Sequence, residues 1–180
     1  MRTAGPVFAR DGYAATRLDD VAAAAGVTKP IIYRHFDSKK GLYLALLAKH
    51  RDDLPGFFEE VEVPSAAPVE ETVRAVIDVW LDYVHENRHS WVMLFRDMSG
   101  DEEIRTLRAD VSRRAREVMA GFIALVAGDR IPAEQVEPTA EVLTSGLAGM
   151  VLWWIDHPEV GKPVLAEVAT RICLAALPEG

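Results

Sequence analysis

One cysteine, Cys173, is too few for an intramolecular disulfide, which fits a reducing compartment. No uninterrupted apolar run reaches the ~18–20 residues that a membrane span needs, so no membrane partner is expected. The opening MRTAGPVFARDGY holds no hydrophobic stretch of the signal-peptide kind, and nothing in it argues for export. The expected location is the cytoplasm. Also missing are a glycine-rich phosphate loop, paired histidines at metal-binding spacing and a serine or cysteine nucleophile motif. An enzyme reading therefore has little support, and no catalytic residue, metal or cofactor is expected. Cys173 itself reads as a small buried hydrophobe. Strand-like alternation, internal repeats and low-complexity tracts are lacking too.

What is present is ordinary in bulk and uneven in distribution. The 180 residues are 49% hydrophobic and 27% charged, as in a soluble globular protein. The net charge of −8 hides a partition. Residues 1–51 hold nine Lys/Arg and four Asp, a balance of +5, so residues 52–180 carry −13. A basic head on an acidic body suits a phosphate-binding module joined to one that does not touch nucleic acid. Chance clustering on solvated faces is the bland alternative.

Helical signals are frequent, and the fold class is all-α. Thr16 is placed to cap a helix over Arg17–Ala25, with Leu18, Val21, Ala22 and Ala25 inward and Gly26 ending it. Thr28 is placed to cap a second, short helix whose first turn accepts Pro30 and which carries Ile31 to His35. Asp37-Ser38 restarts the chain into a helix from Lys39 to about Arg51. A proline- and glycine-bearing loop over residues 52–68 marks a boundary between a head, 1–51, and a body, 52–180. The body shows amphipathic stretches at about 68–87, 90–98, 101–127, 133–157 and 163–177. Helix packed on helix is the expected architecture.

Two short helices joined tightly at Gly26-Val27 form a helix-turn-helix pattern, whose second helix can enter a major groove. The string FARDGYAATRLDDVAAAAGVTKPIIYRHFDSKKGLYLALL goes further. Phe8, Gly12-Tyr13, Thr16, Val21-Ala22, Ala25-Gly26-Val27, Tyr33, His35-Phe36, Ser38-Lys39 and Leu42 closely resemble the N-terminal domain of TetR-like (tetracycline-repressor type) regulators. The resemblance covers residues 7–50, and beyond it only the all-helical character matches. Family members have a longer first helix with basic residues ahead of it. Here Pro6 after Gly5 predicts a short first helix, or a sequence altered at its start, which puts the phosphate contacts of that segment in question.

Exposed donors near the second short helix are the candidate DNA contacts. Lys29 is placed to reach a guanine edge or a phosphate, and Ile31 to pack on a thymine methyl. The resemblance implies phosphate contacts for Tyr33 and His35. Thr28 combines capping with a possible phosphate bond, Lys39 adds charge at a helix N-terminus, and Arg17 is a further candidate. Tyr33 could instead be partly core, and His35 a helix cap. Phe8, Leu18, Val21, Ile32, Phe36 and Leu42 are assigned to the core.

The body holds all four tryptophans. Trp80, Tyr83, Trp91, Phe95, Met119, Phe122, Met150 and Trp153 are candidate walls of an apolar ligand cavity, although plain core explains each as well. His85, Arg96 and Asp97 could orient a polar ligand group. The stretch 142–157 is apolar on two stripes, Val142/Gly146/Met150/Trp153 and Leu143/Leu147/Val151/Trp154, and so needs two packing partners. With Val168 and Ile172 of the last helix, Val142, Gly146, Leu147 and Trp154 are the candidate interface of a homodimer built as a four-helix bundle. The resemblance implies a repressor released from a palindromic double-stranded operator by a small effector, for which composition indicates an apolar ligand. The rival reading is a helical-bundle protein-interaction module without DNA binding.

Overall fold

The computed structural model describes residues 3–53, 67–97 and 100–177. Every regular element among them is helical: α1 (Ala4–Ala15), α2 (Leu18–Ala25), α3 (Lys29–Tyr33), α4 (Lys39–Asp53), α5 (Val69–Glu86), α6 (Arg88–Phe95), α7 (Glu102–Ala127), α8 (Ala133–Asp156) and α9 (Lys162–Ala175), plus one 3-10 turn at Gly128–Arg130. The expected boundary loop falls largely on residues 54–66, outside the described residues. No helix among the described residues is long and apolar enough to cross a membrane. The chain divides into two compact units, Met1–Asp52 with Asn87–Ser112, and Asp53–Glu86 with Arg113–Gly180. The first unit thus adds α6 and the start of α7 to the basic head.

In the first unit, α1 brings Val7 and Phe8 inward against α4, where Phe8 and Tyr43 are fully buried and meet edge to face at 5.0 Å. Burying each such ring is worth about 1.5–3 kcal/mol. As expected of a first helix limited near Pro6, α1 starts only at Ala4, and Pro6 lies in its first turn. A proline there costs nothing, since first-turn donors have no intrahelical acceptor. The break comes at Gly12, with φ 75° and ψ 160°. Only glycine adopts that region without strain.

A correction concerns Thr16. Its hydroxyl donates to the Gly12 carbonyl at 2.7 Å, so it closes α1 rather than capping α2. The N-terminus of α2 is supported by Asp19 and Asp20 in its first turn. Its C-terminus is the Schellman turn expected at Gly26: Val27 N–H bonds the Ala22 carbonyl at 3.0 Å and Gly26 N–H the Ala23 carbonyl at 3.1 Å. Ser38 caps α4, its hydroxyl accepting from Gly41 N–H at 3.0 Å.

The second unit is built on stripes. Val73, Ile77, Leu81 and Val84 line one side of α5, and α9 packs against that helix with Leu165, Ala166, Ala169 and Cys173 buried. Phe122 and Ile123 of α7 and Leu143 and Leu147 of α8 complete the core. The Trp154 indole donates to the Val160 carbonyl at 2.8 Å, which staples the turn between α8 and α9. Burial pushes the Cys173 thiol up to about 11, and it sits in this core as a hydrophobe would.

Gly12→Ala should force a side chain into a glycine-only conformation and lower unfolding stability by about 1–3 kcal/mol. Urea denaturation of parent and variant reads this directly, and an unchanged midpoint contradicts the break at Gly12.

Candidate nucleic-acid interface

The five residues of α3 divide cleanly. Ile32 is buried against the head, whereas Ile31 is 41% and Tyr33 48% exposed despite their apolar bulk. Around them Thr28, Arg34 and His35 are exposed too. A large aliphatic and an aromatic side chain are thus left in water beside cationic neighbours. The N-terminal end of α3 is held open by Thr28, whose backbone is extended (φ −95°, ψ 153°) and whose hydroxyl makes no capping bond. That overturns the capping half of its expected role and leaves the hydroxyl outward.

Lys29 stands at the first position of α3, and its ammonium donates to the Asp19 carboxylate at 3.1 Å. Arg17 reaches the same carboxylate at 3.8 Å. These groups are well exposed, so the pairing is worth little in water and is readily exchanged for another anion. Lys29 and Arg17 thus sit at the α2–α3 edge as mobile charge.

Lys39 is different. Its ammonium donates to the backbone carbonyls of Tyr13 at 2.7 Å, Ala14 at 3.0 Å and Thr16 at 2.9 Å, and lies 4.8 Å from the Tyr13 ring centroid. All three of its donors are committed to the end of α1, which corrects the phosphate contact expected of that ammonium. Lys40, beside it, pairs with Glu103 at 2.7 Å and Asp101 at 3.1 Å, and those hydrogen bonds raise its pKa above the ordinary lysine value.

Sequence reasoning missed a buried polar cluster in this unit. The Asp97 carboxylate accepts from Tyr13 N–H at 2.7 Å and lies 3.1 Å from the Tyr43 hydroxyl, which in turn accepts from Arg108 at 2.7 Å. Arg108 and Asp97 stand 3.7 Å apart, both nearly buried. Burial, outweighing Arg108, pushes the Tyr43 phenol up to about 12, so it stays a neutral donor. Asp97 is therefore committed here and not to a ligand. Nothing local in the sequence signals a contact across 84 positions.

The remaining candidates scatter. Trp80, Met119 and Met150 pack against the second unit's core, to which Phe122 belongs. Tyr83 bonds Asp53 at 3.4 Å in the same unit. Trp91 and Phe95 belong to the first unit, where their rings stack at 5.6 Å and His50 meets Trp91 edge-on. Trp153, expected in a cavity wall, is instead 48% exposed and stacked on His157. On α8, Leu147 is buried in the chain's own core and Trp154 is half-buried at its turn, so both leave the exposed interface set. Val142, Gly146, Gly149 and Trp153 form the outward stripe, and Val164, Val168 and Ile172 a matching one on α9, with Val168 half-buried.

A family model described as "Bacterial regulatory proteins, tetR family" matches residues 1–46, and one described as "Tetracyclin repressor-like, C-terminal domain" matches residues 69–175. The chain belongs to the TetR family. Among TetR-family relatives, the transcriptional activator FasR of Mycolicibacterium smegmatis is 32% identical over 52% of this chain and 42% of its own length. The regulator BetI of Rhizobium meliloti is 29% identical over 78% of this chain and 70% of its own. The chain thus spans less than half of FasR. Among solved structures, a TetR regulator from Legionella pneumophila superposes with a TM-score of 0.77 at 20% identity, covering 97% of this chain and 92% of that one. FadR from Bacillus subtilis, solved with stearoyl-CoA, gives 0.75 at 16% identity, covering 97% and 96%. The TetR fold, with its helix-turn-helix head and helical remainder, is therefore shared over 97% of the chain.

Replacing Lys39 by Met removes the charged cap on three TetR-head carbonyls. Stability should fall by about 1–3 kcal/mol, as for hydrogen bonds to a charged group. A chemical-denaturation midpoint equal to the parent's contradicts the capping role.

Proposed function

We propose that the chain is a dimeric DNA-binding repressor released from a palindromic operator by a small apolar ligand. The observation that carries the DNA-binding reading is the exposed face of α3, with Ile31 and Tyr33 outward beside Thr28, Lys29, Arg34 and His35 while Ile32 alone is buried. Lys29 serves a base edge or phosphate, Ile31 a thymine methyl, and Thr28, Tyr33, His35 and Arg17 the backbone. The basic balance of residues 1–51 supplies the salt-sensitive part of the affinity.

The dimer is carried by a separate observation. Val142 is 70% and Ile172 49% exposed, in line with Gly146, Gly149 and Trp153, which is an unusual amount of bare apolar side chain for two neighbouring helices. A second copy laying the same two helices across this face makes a four-helix bundle and fixes the spacing of two α3 helices on successive major grooves.

For the effector, Trp80, Met119, Phe122 and Met150 gather at one core and offer apolar lining. The stearoyl-CoA in a regulator of similar fold supports an effector with a long apolar chain, though its coenzyme A part is charged. A ligand favouring a conformer with the wrong groove spacing lowers DNA affinity by that preference.

Lys29→Ala and Tyr33→Ala should each weaken binding to duplex DNA from upstream of the chain's own coding region by about tenfold or more, with helical circular dichroism intact. Parental affinity in both removes the recognition-helix assignment, and affinity insensitive to salt favours the protein-interaction reading. A Cβ at Gly146 meets nothing within 4 Å in the single chain, so Gly146→Glu should leave the fold intact and give monomers by light scattering. A dimer of parental strength contradicts this interface.

A further inference from the structure

Near its end α1 leaves helical geometry at Gly12, and side chains meet one amide and several carbonyls of the segment that follows. Gly12 at ψ 160° turns the Tyr13 N–H away from the helix ladder, and the Asp97 carboxylate takes it at 2.7 Å. The carbonyls of Tyr13, Ala14 and Thr16 all go to the Lys39 ammonium. The Gly12 carbonyl receives both the Thr16 hydroxyl at 2.7 Å and the Thr16 N–H at 3.1 Å. A negative group thus holds the donor side of the junction and a positive group holds the acceptor side. Asp97 is itself steadied by Tyr43 and Arg108 from two other helices, α4 and α7.

We infer that Asp97 is a positioning residue for DNA recognition: by fixing the Tyr13 amide at the α1 break, it sets where α2 and α3 begin and so how α3 meets the groove. This rests on the DNA-binding reading above. Four groups on four segments (Tyr13, Tyr43, Asp97 and Arg108) share this one cluster, so a small displacement of Asp97 moves the start of the helix-turn-helix. None of the four lies on the exposed face of α3. The charge presented to phosphate is therefore untouched when Asp97 changes, and only the placement of that charge alters. Operator binding, which needs two correctly spaced helices, should suffer, while binding to unrelated DNA, which needs only charge, should not.

The experiment takes duplex DNA from upstream of the chain's own coding region as the operator probe and compares it with a scrambled duplex of equal length at one salt concentration by fluorescence anisotropy, using the full chain. Asp97→Ala combined with Arg108→Met removes both members of the buried pair, so neither charge is left uncompensated. Operator affinity should fall by about tenfold or more, with scrambled-duplex affinity within about twofold of the parent's. Asp97→Asn in the same Arg108→Met background keeps a side-chain carbonyl for Tyr13 N–H, leaves no lone charge, and should restore most of the operator affinity. Parental operator binding in the Asp97→Ala double variant, an equal loss on both duplexes, or an Asn variant as weak as the Ala one would each overturn the inference. A second measurement needs neither DNA nor a variant: the Tyr13 amide of the parent should be protected in hydrogen exchange, and solvent-rate exchange there refutes the clamp even if the double variant fails to fold. A protected Tyr13 amide in a parent that binds no duplex sinks the DNA-binding reading, and the positioning role with it.

Discussion

A chain that leaves a helix inside a folded unit must find new partners for the backbone groups it frees, or lose about 1–3 kcal/mol for each one buried alone. In this protein that constraint acts at Gly12–Thr16, where the first helix ends and the helix-turn-helix begins. The solution is ionic on both sides, with Asp97 on an amide and Lys39 on three carbonyls. The direction of α2 follows from where this junction is held. The direction of α3 follows from the Schellman turn at Gly26 and from Ile32 being drawn into the core. Everything outward on α3 is outward because those two anchors leave it no other face.

The same division between committed and uncommitted side chains runs through the first unit. Lys39, Arg108 and Lys40 look like generic cations in the sequence, yet each is engaged by carbonyls, a phenol or carboxylates of its own unit. Among the described residues Lys29 and Arg17 pair with the exposed Asp19, an arrangement that water and phosphate can exchange at small cost. Charge count gives the head a basic balance, and the pairing separates its engaged cations from its exchangeable ones. In the second unit the analogous distinction runs along α8, where Leu143, Leu147 and Val151 are spent on the chain's own core and Val142, Gly146 and Trp153 are exposed.

Much of this was legible beforehand. Periodicity and turn chemistry place α4, α5, α7, α8 and α9 within about two residues of their observed ends, because amphipathic stripes and glycine or proline stops are local signals. The helix-turn-helix was legible for the same reason, and the family matches over residues 1–46 and 69–175 agree with the resemblance read from residues 7–50. What failed was non-local. Thr16 looks like an N-cap until the Gly12 carbonyl, turned outward by a positive φ, proves the better partner. Lys39 looks like a phosphate ligand because its acceptors lie more than twenty positions back. The two stripes of α8 are equivalent on a helical wheel, and only packing against α5, α7 and α9 decides that Leu147 faces in and Val142 out. The aromatic set was over-read, since shared chemistry does not place Trp91 and Trp80 in the same unit.

The most direct trial of the central claim is amide hydrogen exchange of the whole chain, followed with and without duplex DNA from upstream of its coding region. Slowed exchange should concentrate in residues 28–35, with the second unit's core helices unchanged. Protection that appears elsewhere while residues 28–35 exchange as in the free chain would contradict α3 as the reading element.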